Sequence, residues 1–119
     1  MKEGPTIFYR TTDSEGGAPR PSWYDKELCL YTLCLAVDAF SLLGIKAKLV
    51  VLHDGEIKNN PHQKGIKSLV EPRGEILELL PKLGNSRSCL KALEKAASLS
   101  KQEITVFAED DYLWLLPES

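Results

Sequence analysis

The sequence predicts an α/β fold with a mostly parallel β-sheet and helices on both faces. Short runs of β-branched and aromatic residues alternate along the chain with longer segments of helical periodicity. Residues 49–52 form an uninterrupted apolar run, which is typical of a strand that is covered on both faces. The 119 residues match the size of one domain, and residues 1–119 are expected to form it. A composition of 43% hydrophobic and 27% charged residues is that of a globular protein rather than a disordered one.

The first half of the chain predicts a strand and a long buried helix. Residues 5–10 contain a β-prone run and lead into a polar, glycine-rich loop at residues 11–21. A helix is predicted over residues 23–43, where Ser22 with an acidic residue three positions later resembles a capping box. The apolar residues of this helix occupy more than one face, which indicates burial. Gly44 is expected to end the helix in the left-handed conformation.

The second half predicts three more strands and a second main helix. Residues 46–52 have the pattern of the second strand, and Ile66–Val70 have that of a weaker third strand. Residues 75–80 are expected to form one or two helical turns before a proline. Apolar residues at helical spacing predict the second main helix over residues 84–97, and residues 104–108 form the last predicted strand. The predicted order is β, α, β, β, α, β.

The charge and the cysteines limit the partners and the compartment. Fifteen Lys and Arg against seventeen Asp and Glu give a net charge of −2, which argues against nucleic acid as a partner. The sequence shows neither a secretory signal pattern nor an apolar run long enough to cross a bilayer, so no transmembrane segment is expected. Cys29, Cys34 and Cys89 lack the spacing of zinc or redox motifs, and we expect reduced thiols in a cytoplasmic protein.

Three groups of polar residues stand at the carboxyl ends of predicted strands. In parallel α/β sheets, ligands bind at this edge near the point where the strand order reverses. The residues are Arg10 and Thr11 after the first strand, Asp54 after the second, and Glu109, Asp110 and Asp111 after the last. Asp54 precedes a glycine, so it either forms a turn or accepts a hydrogen bond from a ribose or base.

The acidic triplet at residues 109–111 is a candidate metal site. Three consecutive carboxylates repel one another unless a cation neutralises them, and Mg²⁺ or Mn²⁺ prefers oxygen ligands that it shares with substrate phosphates. Such a metal bridges a diphosphate and stabilises the charge that develops on it as a leaving group. The alternative is a solvated acidic strand end, and the apolar strand before the triplet makes the two interpretations about equal.

The stretch at residues 104–113 resembles the segment of GT-A-type, family-2-like glycosyltransferases that ends in their acidic metal-binding motif. Residues 84–97 are similar to the helix that precedes this motif, and residues 49–54 to the second strand with its nucleotide-contacting Asp. The resemblance implies a Rossmann-like sheet that forms the nucleotide-binding half of a GT-A fold. It also implies binding of a UDP- or GDP-linked sugar, with Mn²⁺ or Mg²⁺ as the cofactor.

The resemblance also implies a role for each residue of the site. Asp111 would ligate the metal, and Asp110 or Glu109 would contact the ribose or complete the metal shell. Asp54 would contact the base or the ribose. The nucleotide pocket would be lined by Tyr9, Arg10 and Thr11, with Arg10 toward the diphosphate. Arg10 is otherwise a surface cation beside Asp13, and Arg87 either reaches a phosphate or is solvated in the first helical turn.

The sequence departs from the family after the acidic triplet. In the family, further strands carry the acceptor site and the catalytic base, whereas only eight residues follow Asp111 here. No residue is therefore assigned as a catalytic base, and neither His53 nor His62 has a partner at a recognisable spacing. We expect the chain to be the donor-binding part of a longer glycosyltransferase, or a truncated relative of one.

The segment at residues 112–116 is strongly apolar and offers a second interpretation. Trp114, Leu115 and Leu116 are expected to associate with another copy or with a companion chain. The chain would then be a non-catalytic α/β module that binds a nucleotide or a protein through this segment.

Overall fold

A computed structural model of the chain describes residues 2–12, 25–57, 65–98 and 104–109. The strands are β1 (Lys2–Thr12), β2 (Ile45–Asp54), β3 (Gly74–Leu79) and β4 (Thr105–Glu109). The helices are α1 (Lys26–Leu42), α2 (Ile66–Val70) and α3 (Asn85–Ala97).

The four described strands form one parallel sheet in the order β3-β2-β1-β4. This confirms the predicted α/β class and its Rossmann-like parallel sheet. From β1 the chain moves outward through β2 to β3, and it then returns to the other side of β1 for β4. The strand order therefore reverses between β1 and β4, where Phe8 pairs with Phe107 in register. Ligands of such sheets bind at the carboxyl end of this boundary.

Helices cover both faces of the sheet, and each face has its own apolar core. Alternate residues of each strand face opposite sides, so neighbouring residues of β1 and β2 enter different cores. The core under α1 and α2 contains Ile7, Leu30, Leu33, Leu49, Val51 and Val70. The core under α3 is smaller and contains Phe8, Val50, Leu52, Leu79 and Ala92.

Two predicted elements in the middle of the chain are wrong in type. Ile66–Val70 is a helix and not a strand, because its apolar residues recur at intervals of three and four and Leu69 N donates to Gly65 O at 3.0 Å. Of residues 75–80, predicted as helical turns, residues 75–79 belong instead to strand Gly74–Leu79, which pairs with β2. The hydrogen bonds between β2 and this strand outweigh the preference of its Glu and Leu residues for a helix. The order is therefore β, α, β, α, β, α, β.

Specific residues explain where α1 begins and where it ends. Asp25 is the N-cap residue, and its Oδ1 accepts a hydrogen bond from Leu28 N at 3.0 Å. The described helix begins at Lys26 rather than at residue 23, and Ser22 lies outside the described residues. At the other end Gly44 has φ of 75°, which confirms the predicted left-handed stop. No helix among the described residues is long and apolar enough to cross a membrane.

An ion pair joins α1 to the turn that precedes β3. Arg73 Nε donates to Asp38 Oδ1 at 2.9 Å, and its second terminal nitrogen donates to Oδ2 at 2.8 Å. The remaining terminal nitrogen donates to Leu69 O at 2.6 Å. The hydrogen bonds from Arg73 lower the pKa of Asp38 below its ordinary value. The contacts hold α1, α2 and the start of β3 in one arrangement.

Gly74 begins β3 directly beside β2. Leu49 N donates to Arg73 O at 3.1 Å, and Leu49 is the in-register partner of Gly74. A Cβ on Gly74 would overlap the carbonyl oxygen of Leu49. Any side chain would therefore separate the two strands where their pairing starts.

Candidate functional site

The candidate site lies at the carboxyl ends of β1 and β4, where Arg10 and Glu109 pair in register. Arg10 Nε donates to Glu109 Oε1 at 3.2 Å, and a terminal nitrogen lies 2.5 Å from the same oxygen. The Arg10 side chain is 15% exposed and that of Glu109 is 44% exposed. The residue that the sequence assigns to a diphosphate thus contacts a residue that it assigns to the metal shell.

Helix α3 supplies a third contact to Arg10. A terminal nitrogen of the guanidinium donates to Ser88 Oγ at 3.2 Å, and Ser88 is buried in the first turns of α3. Ser88 lies on the small-residue face with which α3 packs against the sheet, together with Ala92 and Ala96. The guanidinium is therefore oriented by β4 and by α3 at once. Ser88 was not predicted as a site residue, although a polar residue in line with two alanines at four-residue spacing was a usable signal.

Asp54 lies at the end of β2 and holds the loop that leads into α3. Its Oδ1 accepts a hydrogen bond from Leu83 N at 2.6 Å, and its Oδ2 accepts one from Gly84 N at 2.8 Å. The residue is 4% exposed. Both oxygens thus bind backbone N–H groups 29 and 30 residues further along the chain. A carboxylate can accept about four hydrogen bonds, so two acceptor positions are left over.

The chain bends directly after Asp54. Gly55 has φ of 112°, which favours glycine, and its N–H donates to Leu79 O at 3.1 Å. Gly84, with φ of 87°, is the N-cap residue of α3 and makes no side-chain cap. The chain therefore bends at Gly55, directly after the carboxyl end of β2. A contact between Asp54 and a nucleotide stays a prediction.

The three predicted pocket residues of β1 do not share one face of the sheet. Tyr9 belongs to the core under α1, and Thr11, which pairs in register with His53, lies two residues further on the same side. Tyr9, Thr11 and His53 are all buried. Arg10 points to the opposite side, toward α3. Among these residues Arg10 is the one brought next to Glu109.

The remaining predicted residues are divided between solvent and the part of the chain that is not described. Arg87 is exposed in the first turn of α3. Asp110, Asp111, His62 and the segment at residues 112–116 lie outside the described residues, so the acidic triplet is represented by Glu109 alone. Within the described ranges, no group of three His, Cys, Asp or Glu side chains is placed to hold a metal ion.

All three cysteines are free thiols in this structure. Cys29 and Cys34 are buried on α1, whereas Cys89 is exposed on α3. Cys34 Sγ lies 3.7 Å from Leu69 O, and burial raises the pKa of this thiol. A raised pKa keeps Cys34 protonated at neutral pH, so it serves as a core residue rather than a nucleophile.

The fold does not decide an activity, because parallel α/β sheets carry many unrelated functions. The polar contacts at the carboxyl edge are what indicate a site here. Comparison of the chain with protein-family models, with curated proteins and with solved structures finds no match.

Proposed function

We propose that the chain is the nucleotide-sugar-binding domain of a GT-A-type glycosyltransferase, with its site at the carboxyl ends of β1 and β4. The main support is the position of Arg10 and Glu109 at the boundary where the strand order reverses. The donor would be a UDP- or GDP-linked sugar held through Mn²⁺ or Mg²⁺. No residue is assigned as the catalytic base.

We assign residues to the metal, the diphosphate and the nucleotide of this ligand. The divalent metal would bind Glu109 and the acidic residues that follow it in the sequence, Asp110 and Asp111. The diphosphate would take the guanidinium of Arg10, whose planar donors match phosphate oxygens. Arg87, exposed in the first turn of α3, would add a second cation. Asp54 would keep the loop before α3 in place and use its spare acceptor positions for the nucleotide.

Without ligand, Arg10 and Glu109 neutralise each other. A metal that binds alone would meet a Glu109 carboxylate already neutralised by Arg10, and a diphosphate that binds alone would meet an Arg10 guanidinium already neutralised by Glu109. When both bind, the metal takes the place of Arg10 beside Glu109, and the diphosphate takes the place of Glu109 beside Arg10. Neither side chain is then left without a charged partner. The two ligands are therefore expected to favour each other's binding.

Thermal unfolding with nucleotides and metals tests the proposed site. UDP or GDP with Mn²⁺ should raise the melting temperature of the wild type, and neither Asp111→Asn nor Glu109→Gln should show the full shift. Glu71→Gln is the matched control, because Glu71 is an exposed carboxylate at the opposite edge of the sheet. The absence of a shift with either nucleotide and either metal would overturn the proposed function.

The part of the ligand that the site recognises needs a separate measurement. UDP- and GDP-linked sugars should be bound more tightly than the free sugars, since the metal and Arg10 hold the diphosphate and not the sugar. Isothermal titration with the nucleotide sugar, the nucleotide and the sugar separates these contributions. A cytoplasmic location, where the exposed Cys89 stays reduced, belongs to the same proposal.

A non-catalytic binding module is the second candidate, and exposed apolar residues of β4 favour it. Phe107 is half-exposed although it stacks on Phe8 with ring centroids 5.8 Å apart, and Ile104 is exposed just before the strand. Apolar side chains at an outer strand are typical of a surface that binds another protein. This alternative takes precedence if no nucleotide shifts the melting temperature.

A further inference from the structure

The outer face of α1 carries an exposed apolar stripe. We call Leu28, Tyr31, Leu35, Ala39 and Leu42 the outer stripe. Leu28, Tyr31 and Leu35 are 42%, 47% and 38% exposed, and Leu42 is 90% exposed. At about 100° per residue, all five lie within a sector of roughly 80° along the helix. They form a continuous line from the first turn of α1 to its last.

The outer stripe lies opposite the side of α1 that packs on the sheet. The core-facing residues are Cys29, Leu30, Leu33, Cys34 and Val37, all of them buried. The centres of the two sets are about 170° apart around the helix. A helix that is apolar all round is normally covered on every side. The sheet covers one side of α1 and leaves the outer stripe open to a further partner.

The charges on α1 permit a second copy to approach this face. Residues 27–43 contain no Lys or Arg, and their acidic residues are Glu27, in the first turn, and Asp38. Asp38 borders the outer stripe, but Arg73 binds its carboxylate with two hydrogen bonds. No uncompensated charge therefore lies at the middle of the stripe.

The residue order of the stripe suits pairing with itself. When two copies of α1 run antiparallel about a two-fold axis at Leu35, Leu28 faces Leu42 of the partner subunit. Tyr31, the largest residue of the stripe, then faces Ala39 of the partner subunit, the smallest. A large residue opposite a small one allows the ridges of one helix to enter the grooves of the other.

We propose that the outer stripe is a homodimer interface, in which two copies of α1 pack antiparallel about a two-fold axis at Leu35. The exposed parts of the stripe and the adjoining Leu43 amount to roughly 500 Å² per copy, so the pair would bury roughly 1,000 Å², the lower limit for a specific interface. The same patch serves both subunits, as an isologous interface requires. The carboxyl edges of the two sheets then point in opposite directions, and both candidate sites stay accessible.

Sedimentation equilibrium tests this interface in the full chain. The wild type should dimerise over a concentration series that reaches the high micromolar range, where interfaces near the lower size limit associate. Leu35→Glu places two like charges at the axis and should raise the dimer dissociation constant by at least about tenfold. Leu90→Glu is the matched control, since Leu90 is an exposed leucine on α3, and it should dimerise like the wild type.

A charge exchange tests the antiparallel arrangement. Leu28→Glu and Leu42→Lys should each weaken the dimer, because each places a charge opposite a leucine. The double variant should restore the dissociation constant to within about a factor of three of the wild type, because the introduced carboxylate faces the introduced ammonium of the other copy. Failure of the double variant to recover would overturn the antiparallel arrangement.

Melting temperatures separate the dimer from other occupants of the stripe. A wild type that stays monomeric throughout the series overturns the dimer, whatever the variants do. If Leu42→Lys, at a side chain that is 90% exposed, also lowers the melting temperature of that monomer, a segment of the same chain covers the stripe, and residues 112–116 are the apolar candidate. A monomer whose melting temperature is unchanged by Leu42→Lys points instead to a different protein as the partner.

Discussion

Arg10 and Glu109 meet side by side at the ends of β1 and β4, with Arg10 Nε 3.2 Å from Glu109 Oε1. The two residues were predicted to bind opposite parts of a ligand, one the diphosphate and the other the metal. In the structure Arg10 gives Glu109 the positive charge that the metal would give it, and Glu109 gives Arg10 the negative charge that the diphosphate would give it. Under the proposed function, their contact would make ligand binding an exchange of partners rather than the filling of two independent subsites.

The exchange predicts that metal and nucleotide bind cooperatively. UDP should tighten Mn²⁺ binding to the wild type by roughly fivefold or more, because Arg10 has already left Glu109 for the diphosphate. Glu109→Gln should lose most of this coupling, while Glu71→Gln should keep it. Isothermal titration of Mn²⁺ with and without UDP measures the effect. Equal Mn²⁺ affinities in the two titrations would contradict the exchange.

Removal of the Asp54 carboxylate should destabilise the protein. Asp54→Ala leaves the N–H groups of Leu83 and Gly84 without their acceptor, and we expect a loss of about 2–4 kcal/mol in the free energy of unfolding. Asp54→Asn retains one acceptor oxygen and should lose less. Urea unfolding measures both, and Glu56→Ala, an exposed change two residues away, should stay within about 0.5 kcal/mol of the wild type. Equal stability of Asp54→Ala and the wild type would show that water replaces the carboxylate.

The Asp38–Arg73 ion pair predicts a pH dependence of stability in the acidic range. The pKa of Asp38 is lowered in the folded protein, first by the hydrogen bonds from Arg73. Its stabilisation is therefore complete above the ordinary carboxyl pKa and is lost as the pH falls through the lowered one. Since Asp38 is half-exposed, solvent screening limits the contribution to about 1 kcal/mol.

Asp38→Asn isolates this contribution. Its unfolding free energy should lie below that of the wild type at pH 7, and the difference should shrink as the pH falls below the ordinary carboxyl pKa and through the lowered pKa of Asp38, where the wild-type carboxylate becomes protonated. Urea unfolding at a series of pH values provides the comparison. A difference that is constant across the series would assign the effect to packing instead of charge.

Two glycines should respond differently to the same substitution. Gly74→Ala places a Cβ on the carbonyl oxygen of Leu49 and should cost at least about 3 kcal/mol, since β2 and β3 have to separate. Gly44→Ala meets no atom within 4 Å and should cost about 1 kcal/mol through its positive φ alone. Thermal or urea unfolding of both variants checks the ranking. The reverse order would mean that the β2–β3 pairing tolerates displacement.

Helix α1 and strand β2 were predictable because their own residues determine them. The long apolar segment before Gly44 forms α1, and the continuous apolar run at residues 49–52 forms the middle of β2. Ile66–Val70 was predicted as a strand but is a helix, and Gly74–Leu79 is a strand where helical turns were predicted. Both predictions failed because the segments are short. In Gly74–Leu79 the ladder with β2, rather than the local preference of Glu and Leu, sets the conformation.

The site was only partly predictable for a related reason. The position of Arg10 and Glu109 at the carboxyl edge follows from the rule for parallel sheets, but their contact depends on β4 lying beside β1. The hydrogen bonds of Asp54 involve backbone N–H groups of a distant loop, which carry no sequence signal. Residue type thus indicated where a ligand could bind, and topology decided which side chains touch.

The central position of β1 has a consequence for synthesis of the chain. Among the four described strands β1 is synthesised before the others, yet one of its two neighbours is β4, and Arg10 and Glu109 are 99 positions apart. Until β4 emerges, one edge of β1 has no paired strand beside it, and such an edge readily pairs with other chains. Pairing across this separation is also intrinsically slow. Nascent chains that stall before β4 are therefore the ones that most need protection by chaperones.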